Sequence, residues 1–182
     1  AEAVTHLRTC PAGRRRAWDV GTGSGAVAAA VASEVPDAIV LATDVSAEAL
    51  EVASKNVAAH DLTDRVELLQ ADLLDLPEPP AEPFDVIVSN PPYVAEGDPL
   101  GASVQYEPEV ALYAPEKGLA CLRRVVAGAP VHLCSGGRLI LEFGYEQGDA
   151  VRDLVAGSDA FAEPRIIRDH QGHERVCVAE RR

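Results

Sequence analysis

The chain has 182 residues, of which 47% are hydrophobic and 25% are charged, a composition typical of one globular domain and not of a disordered segment. Its formal net charge of −13 argues against a broad nucleic-acid surface, because binding to phosphates depends on Lys and Arg. No apolar stretch is long enough for a membrane span, and no signal peptide is visible. We therefore expect a protein or small-molecule substrate.

The start of the chain indicates whether it is part of a longer protein, and its cysteines indicate its redox environment. The chain begins at Ala1 and contains no methionine, so we expect a fragment of a longer protein. Residues 1–16 are predicted to be a lead-in remnant of an upstream linker, and residues 17–182 one folded domain. The four cysteines form no Cys-x-x-Cys pair and no zinc-ligand spacing, so we predict no metal site and a reducing cytoplasm.

Apolar runs and helical patterns alternate along the first half of the chain. The predicted elements are a strand at 17–20, a helix at 26–35, a strand at 39–43, a helix at 46–59, and strands at 66–69 and 84–89. Pro36 ends the first helix, and Ser46 is a typical N-cap for the second.

The second half opens with a long segment, 94–116, that is rich in proline and glycine and has little periodicity. The elements predicted after it are a helix at 119–126, a strand at 138–143 after a Gly136-Gly137 turn, a helix at 146–156, and a hairpin of 164–168 and 175–179. Strands that are continuous apolar runs between helices predict a mostly parallel α/β sheet with helices on both faces and a C-terminal antiparallel hairpin.

A glycine-rich turn lies between the first predicted strand and the first long helix. Its residues are Gly21, Thr22, Gly23, Ser24 and Gly25. Glycine lets a ligand approach the main chain, and the carboxyl edge of such a sheet is where ligands bind. The spacing is neither the Gly-x-Gly-x-x-Gly of dinucleotide binding nor a P-loop. We therefore predict a ligand without a pyrophosphate.

Acidic residues follow or end the strands around this turn. Asp44 ends the second strand, where a carboxylate can accept hydrogen bonds from a ribose diol. Asp72, after the third strand, could receive an adenine amino group, with Leu73 packed on the ring. Asp19 precedes the glycines, and its charge would suit a cationic sulfonium. Turn glycines and strand-end acids are individually common, and the ordered set favours a cofactor site.

The segment Asn90-Pro91-Pro92-Tyr93 follows the strand at 84–89 directly. An amide or exocyclic amino nitrogen is a poor nucleophile, and two acceptors that receive its N–H groups hold it in plane. The Asn90 side-chain oxygen and the Pro91 carbonyl can be those acceptors, while the prolines stiffen the loop. Tyr93 offers a ring face to the planar group. A rigid proline turn is the alternative reading, and the glycine loop upstream favours the catalytic one.

With these two motifs on one chain, the sequence resembles the HemK-type protein-(glutamine-N5) methyltransferases, which modify peptide chain release factors. The resemblance runs from about Trp18 to the C-terminus. It also includes Tyr106-Glu107-Pro108-Glu109-Val110-Ala111-Leu112, Leu141-Glu142-Phe143-Gly144 with Glu146-Gln147-Gly148, and Asp169-x-x-Gly172-x-x-Arg175.

The resemblance implies a class I S-adenosylmethionine-dependent methyltransferase fold, with a mostly parallel seven-stranded sheet and residues 17–182 as its catalytic domain. It implies S-adenosylmethionine as donor, contacted by Gly21 to Gly25, Asp44 and Asp72-Leu73, with Asp19 and Asn90 beside it. The implied acceptor is the side-chain amide of the glutamine in a Gly-Gly-Gln loop, held by Asn90 to Tyr93.

Members that resemble this chain usually carry a small helical N-terminal domain, which this sequence lacks; either it was trimmed or this is a short form that relies on another partner.

Three other interpretations of the function remain open. One is methylation of a ribosomal-protein glutamine, and another is adenine-amino methylation of nucleic acid, against which the charge of −13 counts. The third is a non-enzymatic methyltransferase-like subunit, against which the two intact loops count.

Overall fold

A computed structural model describes residues 1–12, 15–92, 94–95, 113–114 and 118–182. The strands are β1 Arg15–Val20, β2 Ala38–Asp44, β3 Val66–Gln70, β4 Phe84–Ser89, β5 Val94–Ala95, β6 Tyr113–Ala114, β7 Leu133–Glu142, β8 Arg165–Arg168 and β9 Glu174–Glu180. The helices are α1 Glu2–Thr9, α2 Ala26–Glu34, α3 Ala47–Ala59, α4 Ala120–Gly128 and α5 Gly148–Ala156. Every helix that the structure describes is too short or too polar to span a bilayer.

Seven strands form one sheet in the order β3-β2-β1-β4-β7-β9-β8, and β5 pairs with β6 separately. The pairs from β3 to β7 are parallel, while β9 runs antiparallel to both β7 and β8. This confirms the expected mostly parallel seven-stranded sheet with a C-terminal antiparallel hairpin. The strand order reverses at β1, because β2 lies on one side of it and β4 on the other.

The sheet is covered on both faces, since parallel strands must bury both of their sides. On one face, Leu122 and Val125 of α4 and Val151 of α5 pack in a cluster that includes Trp18. On the other face, the alanines and valines of α2 pack with Val86 and Ile140. The small side chains of α2 let its backbone lie close to the sheet, directly behind the glycine loop.

The first residues of the chain also pack on the second face. Helix α1 buries Leu7 completely against the cluster that contains Ala17 and Val86. At the end of this lead, Arg15 pairs with Asp37 at 2.7 Å, which ties the start of β1 to the start of β2. Part of the segment predicted to be linker remnant is therefore in contact with the sheet.

The predicted turn at Gly136-Gly137 is wrong, because both residues lie inside β7. Between two register pairs, β7 advances from Leu133 to Arg138 while β4 advances only from Phe84 to Val86, so β7 carries a bulge. Gly136 has φ +78°, which a side chain would resist, and a Cβ on Gly137 would lie 2.9 Å from the Cys134 carbonyl oxygen. These glycines therefore allow a bulge within the strand and do not end it.

Candidate active site

The carboxyl ends of β1, β2, β3, β4 and β7 meet at one edge of the sheet, around the point where the strand order reverses. In open α/β sheets, this is where ligands bind. The glycine loop follows β1, Asp44 ends β2, and Asn90 follows β4. The structure thus brings the described residues of both motifs to a single edge.

The glycine loop is fixed by main-chain hydrogen bonds to the end of β2. The amides of Gly21 and Thr22 both donate to the Thr43 carbonyl at 2.8 Å, and the Gly25 amide donates to the Thr22 carbonyl at 2.9 Å. The Ser24 carbonyl accepts from the side chain of Asn56 at 2.8 Å. This turn requires φ of +72° at Gly21, +54° at Gly23 and +78° at Gly25.

The three glycines serve different purposes. A Cβ built on Gly21 or Gly23 would meet no described atom within 4 Å, so the space over the first part of the loop is open. A Cβ on Gly25 would lie 3.0 Å from the Cβ of Ala53 and 3.2 Å from its Cα. The first two glycines therefore border space that a ligand can enter, and the third lets α2 and α3 approach each other.

Asp19 lies beneath the loop and is only 4% exposed. Its Oδ2 accepts hydrogen bonds from the Thr22 hydroxyl at 2.6 Å and from the Ala28 amide at 3.0 Å. Burial raises the pKa of Asp19 to about 6, although these two donors favour the charged form. Asp19 therefore joins the loop to the first turn of α2, and only its remaining lone pairs could face a ligand.

Asp44 binds both the glycine loop and the residue that precedes α3. Its Oδ2 accepts from the Gly23 amide at 2.8 Å, and its Oδ1 accepts from the Ser46 amide at 2.9 Å. Each carboxylate oxygen retains a lone pair, so a ribose diol could still donate to both. The Ser46 hydroxyl accepts from the Ala49 amide at 3.1 Å, which confirms the predicted N-cap of α3.

Asp72 begins a tight turn after β3 that the sequence did not predict in detail. The Asp75 amide donates to the Asp72 carbonyl at 3.1 Å, and Leu73 adopts φ +55°, which is uncommon for a residue with a side chain. Arg124 of α4 donates to both oxygens of Asp72, at 3.1 and 3.0 Å, and to Asp75 at 2.8 Å. One guanidinium thus holds both ends of the turn.

Asn90 is exposed at the end of β4, with Pro91 buried and Pro92 half-buried after it. Its side chain makes no hydrogen bond to any residue that the structure describes. The strand end itself is anchored, because the buried Ser89 hydroxyl donates to the Val20 carbonyl of β1 at 2.8 Å. Tyr93 and the segment Tyr106 to Leu112 lie outside the described residues.

Glu142, the last residue of β7, is an acid at this edge to which sequence reasoning gave no separate role. Val88 pairs with Ile140 in the β4–β7 register, so the positions two residues further on, Asn90 and Glu142, are neighbours at the edge. Burial raises the pKa of Glu142, against the effect of the Arg175 charge. An acid that ends an apolar strand was the signal that could have singled it out.

The described residues suit an adenosine-containing ligand that carries a positive charge. The space above Gly21 and Gly23 gives access to the main chain, and Asp44 and Asp72 offer carboxylates at the ends of neighbouring strands. Asp19 adds a buried negative charge beneath the loop.

The strand order, the glycine loop and the acids at the ends of β2 and β3 define the class I methyltransferase fold. The family model described as methyltransferase small domain matches residues 4–105, and the chain belongs to that family.

The curated relatives are more specific. The chain is 45% identical over 167 residues to the release factor glutamine methyltransferase of Neisseria gonorrhoeae, a match that covers 91% of this chain and 60% of that protein. It is 46% identical over 171 residues to the protein of the same name from Xylella fastidiosa, covering 92% and 60%. The chain therefore spans 60% of the length of these relatives.

Among solved structures, the ribosomal protein L11 methylase from Lactobacillus delbrueckii subsp. bulgaricus superposes with a TM-score of 0.71. The match covers 100% of this chain and 76% of that one at 22% sequence identity. At this identity the likeness shows the fold alone, so it carries no argument about the acceptor.

Proposed function

We propose that this chain is the catalytic part of an enzyme that transfers a methyl group from S-adenosylmethionine to the side-chain amide nitrogen of a glutamine in peptide chain release factors. The observation that carries the proposal is the 45% identity, over 91% of the chain, to a relative named for this reaction. The site agrees with it, because the Asn90 amide, which bonds to none of the side chains or main-chain groups that the structure describes, lies at the same sheet edge as the glycine loop.

On the donor side, the residues would bind S-adenosylmethionine and orient it. S-adenosylmethionine supplies a methyl group made electrophilic by its sulfonium charge. Asp44 would hold the ribose diol while it keeps the Gly23 amide in place. Asp72 would accept the adenine amino group, with Leu73 against the ring, and Gly21 to Gly25 would line the remainder.

On the acceptor side, the residues hold the glutamine amide. The Asn90 side-chain oxygen and the Pro91 carbonyl would accept its two N–H groups and keep the nitrogen lone pair directed at the methyl carbon. Methyl transfer would form the C–N bond and break the C–S bond, with S-adenosylhomocysteine as the leaving group, and the nitrogen would then lose one proton to solvent or to Glu142. Pro91 and Pro92 restrict the loop, so these acceptors need little reorganisation in the transition state.

The acceptor loop is proposed to be Gly-Gly-Gln, as the resemblance to the glutamine methyltransferases of release factors implies. Tyr93 is proposed to lie against the planar amide. A release-factor substrate places the enzyme in the cytoplasm and makes its partner a protein, with no direct contact to nucleic acid needed for the chemistry.

The test is methyl transfer from labelled S-adenosylmethionine, with peptide mass spectrometry of the products. The acceptors are a release factor, a ribosomal-protein fraction and adenine-containing duplex DNA, each incubated with the same chain. We expect one added methyl on a single glutamine of the release factor. Label on a ribosomal-protein glutamine or on adenine, with none on the release factor, would overturn the proposal and support an alternative acceptor.

A further inference from the structure

Tyr145 differs from every other Phe, Tyr or Trp whose side chain the structure describes. It is 55% exposed, while Trp18, Phe84, Phe143 and Phe161 are each at most 1% exposed. Exposing the apolar surface of a large ring to water is unfavourable, so the exposure of Tyr145 calls for a reason.

The backbone around Tyr145 is closed into a turn. The Gln147 amide donates to the Gly144 carbonyl at 2.8 Å, and the Gly144 amide donates to the Gln147 side-chain oxygen at 2.9 Å. Tyr145 lies inside this turn, which directly follows β7. Its position is therefore fixed by the main chain on both sides.

The ring itself is held by the β8–β9 hairpin. The guanidinium carbon of Arg175 lies 5.7 Å from the ring centroid, and the ring of His173 lies 5.3 Å away at an interplanar angle of 36°. Arg175 also donates to the Phe143 carbonyl at 3.4 Å, and its Nε lies 3.5 Å from Oδ2 of Asp169.

The hairpin that carries these groups is built tightly. Asp169 accepts from the amides of Gln171 and His173 at 2.8 and 2.9 Å, and its own amide donates to the His173 carbonyl at 2.8 Å. Gly172 has φ +86°, which requires glycine. The Asp169-x-x-Gly172-x-x-Arg175 pattern, to which the proposed chemistry assigns no role, thus forms the support for one exposed ring.

The location of the ring indicates what it contacts. β7 pairs with β4 in parallel, with Leu141 opposite Ser89, so the segment after Glu142 and the segment after Ser89 leave the sheet side by side. Tyr145 therefore lies on the acceptor side of the edge, beyond β4, and away from the glycine loop that follows β1. Tyr145 is thus placed where main chain that flanks a glutamine bound at Asn90 would pass.

We propose that Tyr145, held by Arg175 and His173, is a docking point for the main chain of the acceptor protein beside the modified glutamine. This inference rests on the proposed function. A rigid tyrosine supplies large contact area with little loss of conformational entropy, and tyrosine and arginine dominate the energetic centres of protein interfaces. A glycine-rich acceptor segment suits such a ring, because it has no side chains to keep its peptide planes away from the ring face.

The experiment measures the Kd of the release factor by titration without donor, and KM, kcat and the donor Kd separately. The variants are Tyr145→Ala, Tyr145→Phe and, as matched control, Val131→Ala. Val131 is also exposed, at 78%, but lies before β7, at the opposite edge of the sheet.

For Tyr145→Ala we expect Kd and KM for the release factor to rise about tenfold, with the donor Kd and kcat changed less than about twofold. Tyr145→Phe keeps the ring and should stay near wild type, as should Val131→Ala. An unchanged Kd in Tyr145→Ala overturns the inference, and so does a parallel change in the donor Kd or the melting temperature, which would show a structural role.

The two proposals fail differently. If the wild type binds the release factor without methylating it, the proposed function fails, and the Kd ratio of Tyr145→Ala to wild type still decides the inference. If the wild type shows no binding, the docking point is refuted for this partner.

Discussion

The donor and acceptor sides of the site are built in different ways. On the donor side, the buried Asp19 accepts hydrogen bonds from Thr22 of the loop and from Ala28 of α2, and Asp44 of β2 accepts from Gly23 of the loop. On the acceptor side, Asn90 is exposed, and its side chain makes no hydrogen bond to a described residue. The donor loop is thus part of the folded core, while the acceptor loop extends from it. Substitutions should therefore affect stability on one side and turnover on the other.

The largest expected effect tests the donor side through Asp19→Asn. The pKa of the Asp19 carboxyl rises from 3.8 to about 6 on folding, so the native state binds its proton more tightly than the unfolded chain. The contribution of Asp19 to the free energy of unfolding is fully present below about pH 4 and is lost as pH rises through 6. The loss amounts to about 3 kcal/mol, at 1.36 kcal/mol for each pKa unit.

Asparagine can keep the bonds to Thr22 and Ala28 without a charge. Urea unfolding of both proteins at several pH values between 4 and 7 measures the difference in unfolding free energy. We expect the wild type to lose stability relative to Asp19→Asn by about 3 kcal/mol across this interval. A difference that stays constant with pH would show that the buried carboxyl does not titrate as stated.

The acceptor side is tested by Asn90→Ala. Loss of one preorganised polar partner lowers turnover by about 10²-fold, equivalent to about 2.7 kcal/mol. Because Asn90 is exposed and unpartnered among the described residues, the free energy of unfolding should change by less than about 0.5 kcal/mol. Single-turnover methyl transfer and urea unfolding measure the two quantities. Near-normal turnover would refute the role of Asn90, and a large loss of stability would refute the contrast between the two sides.

A matched pair of glycines divides the donor side further. Gly25→Ala places a Cβ against the backbone of Ala53 at φ +78°, so it should lower the free energy of unfolding by about 2 kcal/mol or more. Gly23→Ala meets open space, so only backbone strain of about 1 kcal/mol is expected. The added methyl group of Gly23→Ala should instead occupy space for the donor, and the loss in donor binding free energy should be at least as large as this loss in stability. Thermal unfolding and donor titration distinguish the two; the reverse pattern would contradict the assignment of the open space to a ligand.

Local patterns in the sequence were sufficient for much of this architecture. The glycine loop, the cap at Ser46 and the strand-end position of Asp44 each depend on residues that are close in sequence. The local sequence around Gly136 predicts a turn, because the hydrogen bonds that keep Gly136 and Gly137 inside a strand join them to Arg181, which is distant in sequence. The support of Tyr145 by Arg175 depends on a contact between distant segments, which no local pattern reveals.

Arg124 is the clearest case of a contact that sequence could not show, since it lies 52 residues from Asp72. The side chains of Arg124 and Asp72 are 47% and 56% exposed, so their ion pair should contribute at most about 1 kcal/mol to stability. Its larger effect would be on the donor, because the two hydrogen bonds fix the Asp72 carboxylate and support the unusual backbone of Leu73. We expect Arg124→Ala to raise the donor Kd about fivefold, with kcat for saturated enzyme unchanged.

Arg124→Lys is the matched variant, because it keeps the charge but loses the two-point contact with Asp72. Its donor Kd should lie between those of wild type and Arg124→Ala. A donor analogue without the adenine amino group sharpens the test, since it should lose affinity for the wild type and little for Arg124→Ala. Equal losses in both proteins would show that Arg124 does not act through Asp72. In that case the contact of Arg124 with Asp72 and Asp75 stabilises only the turn, and the donor would be held by the glycine loop and Asp44.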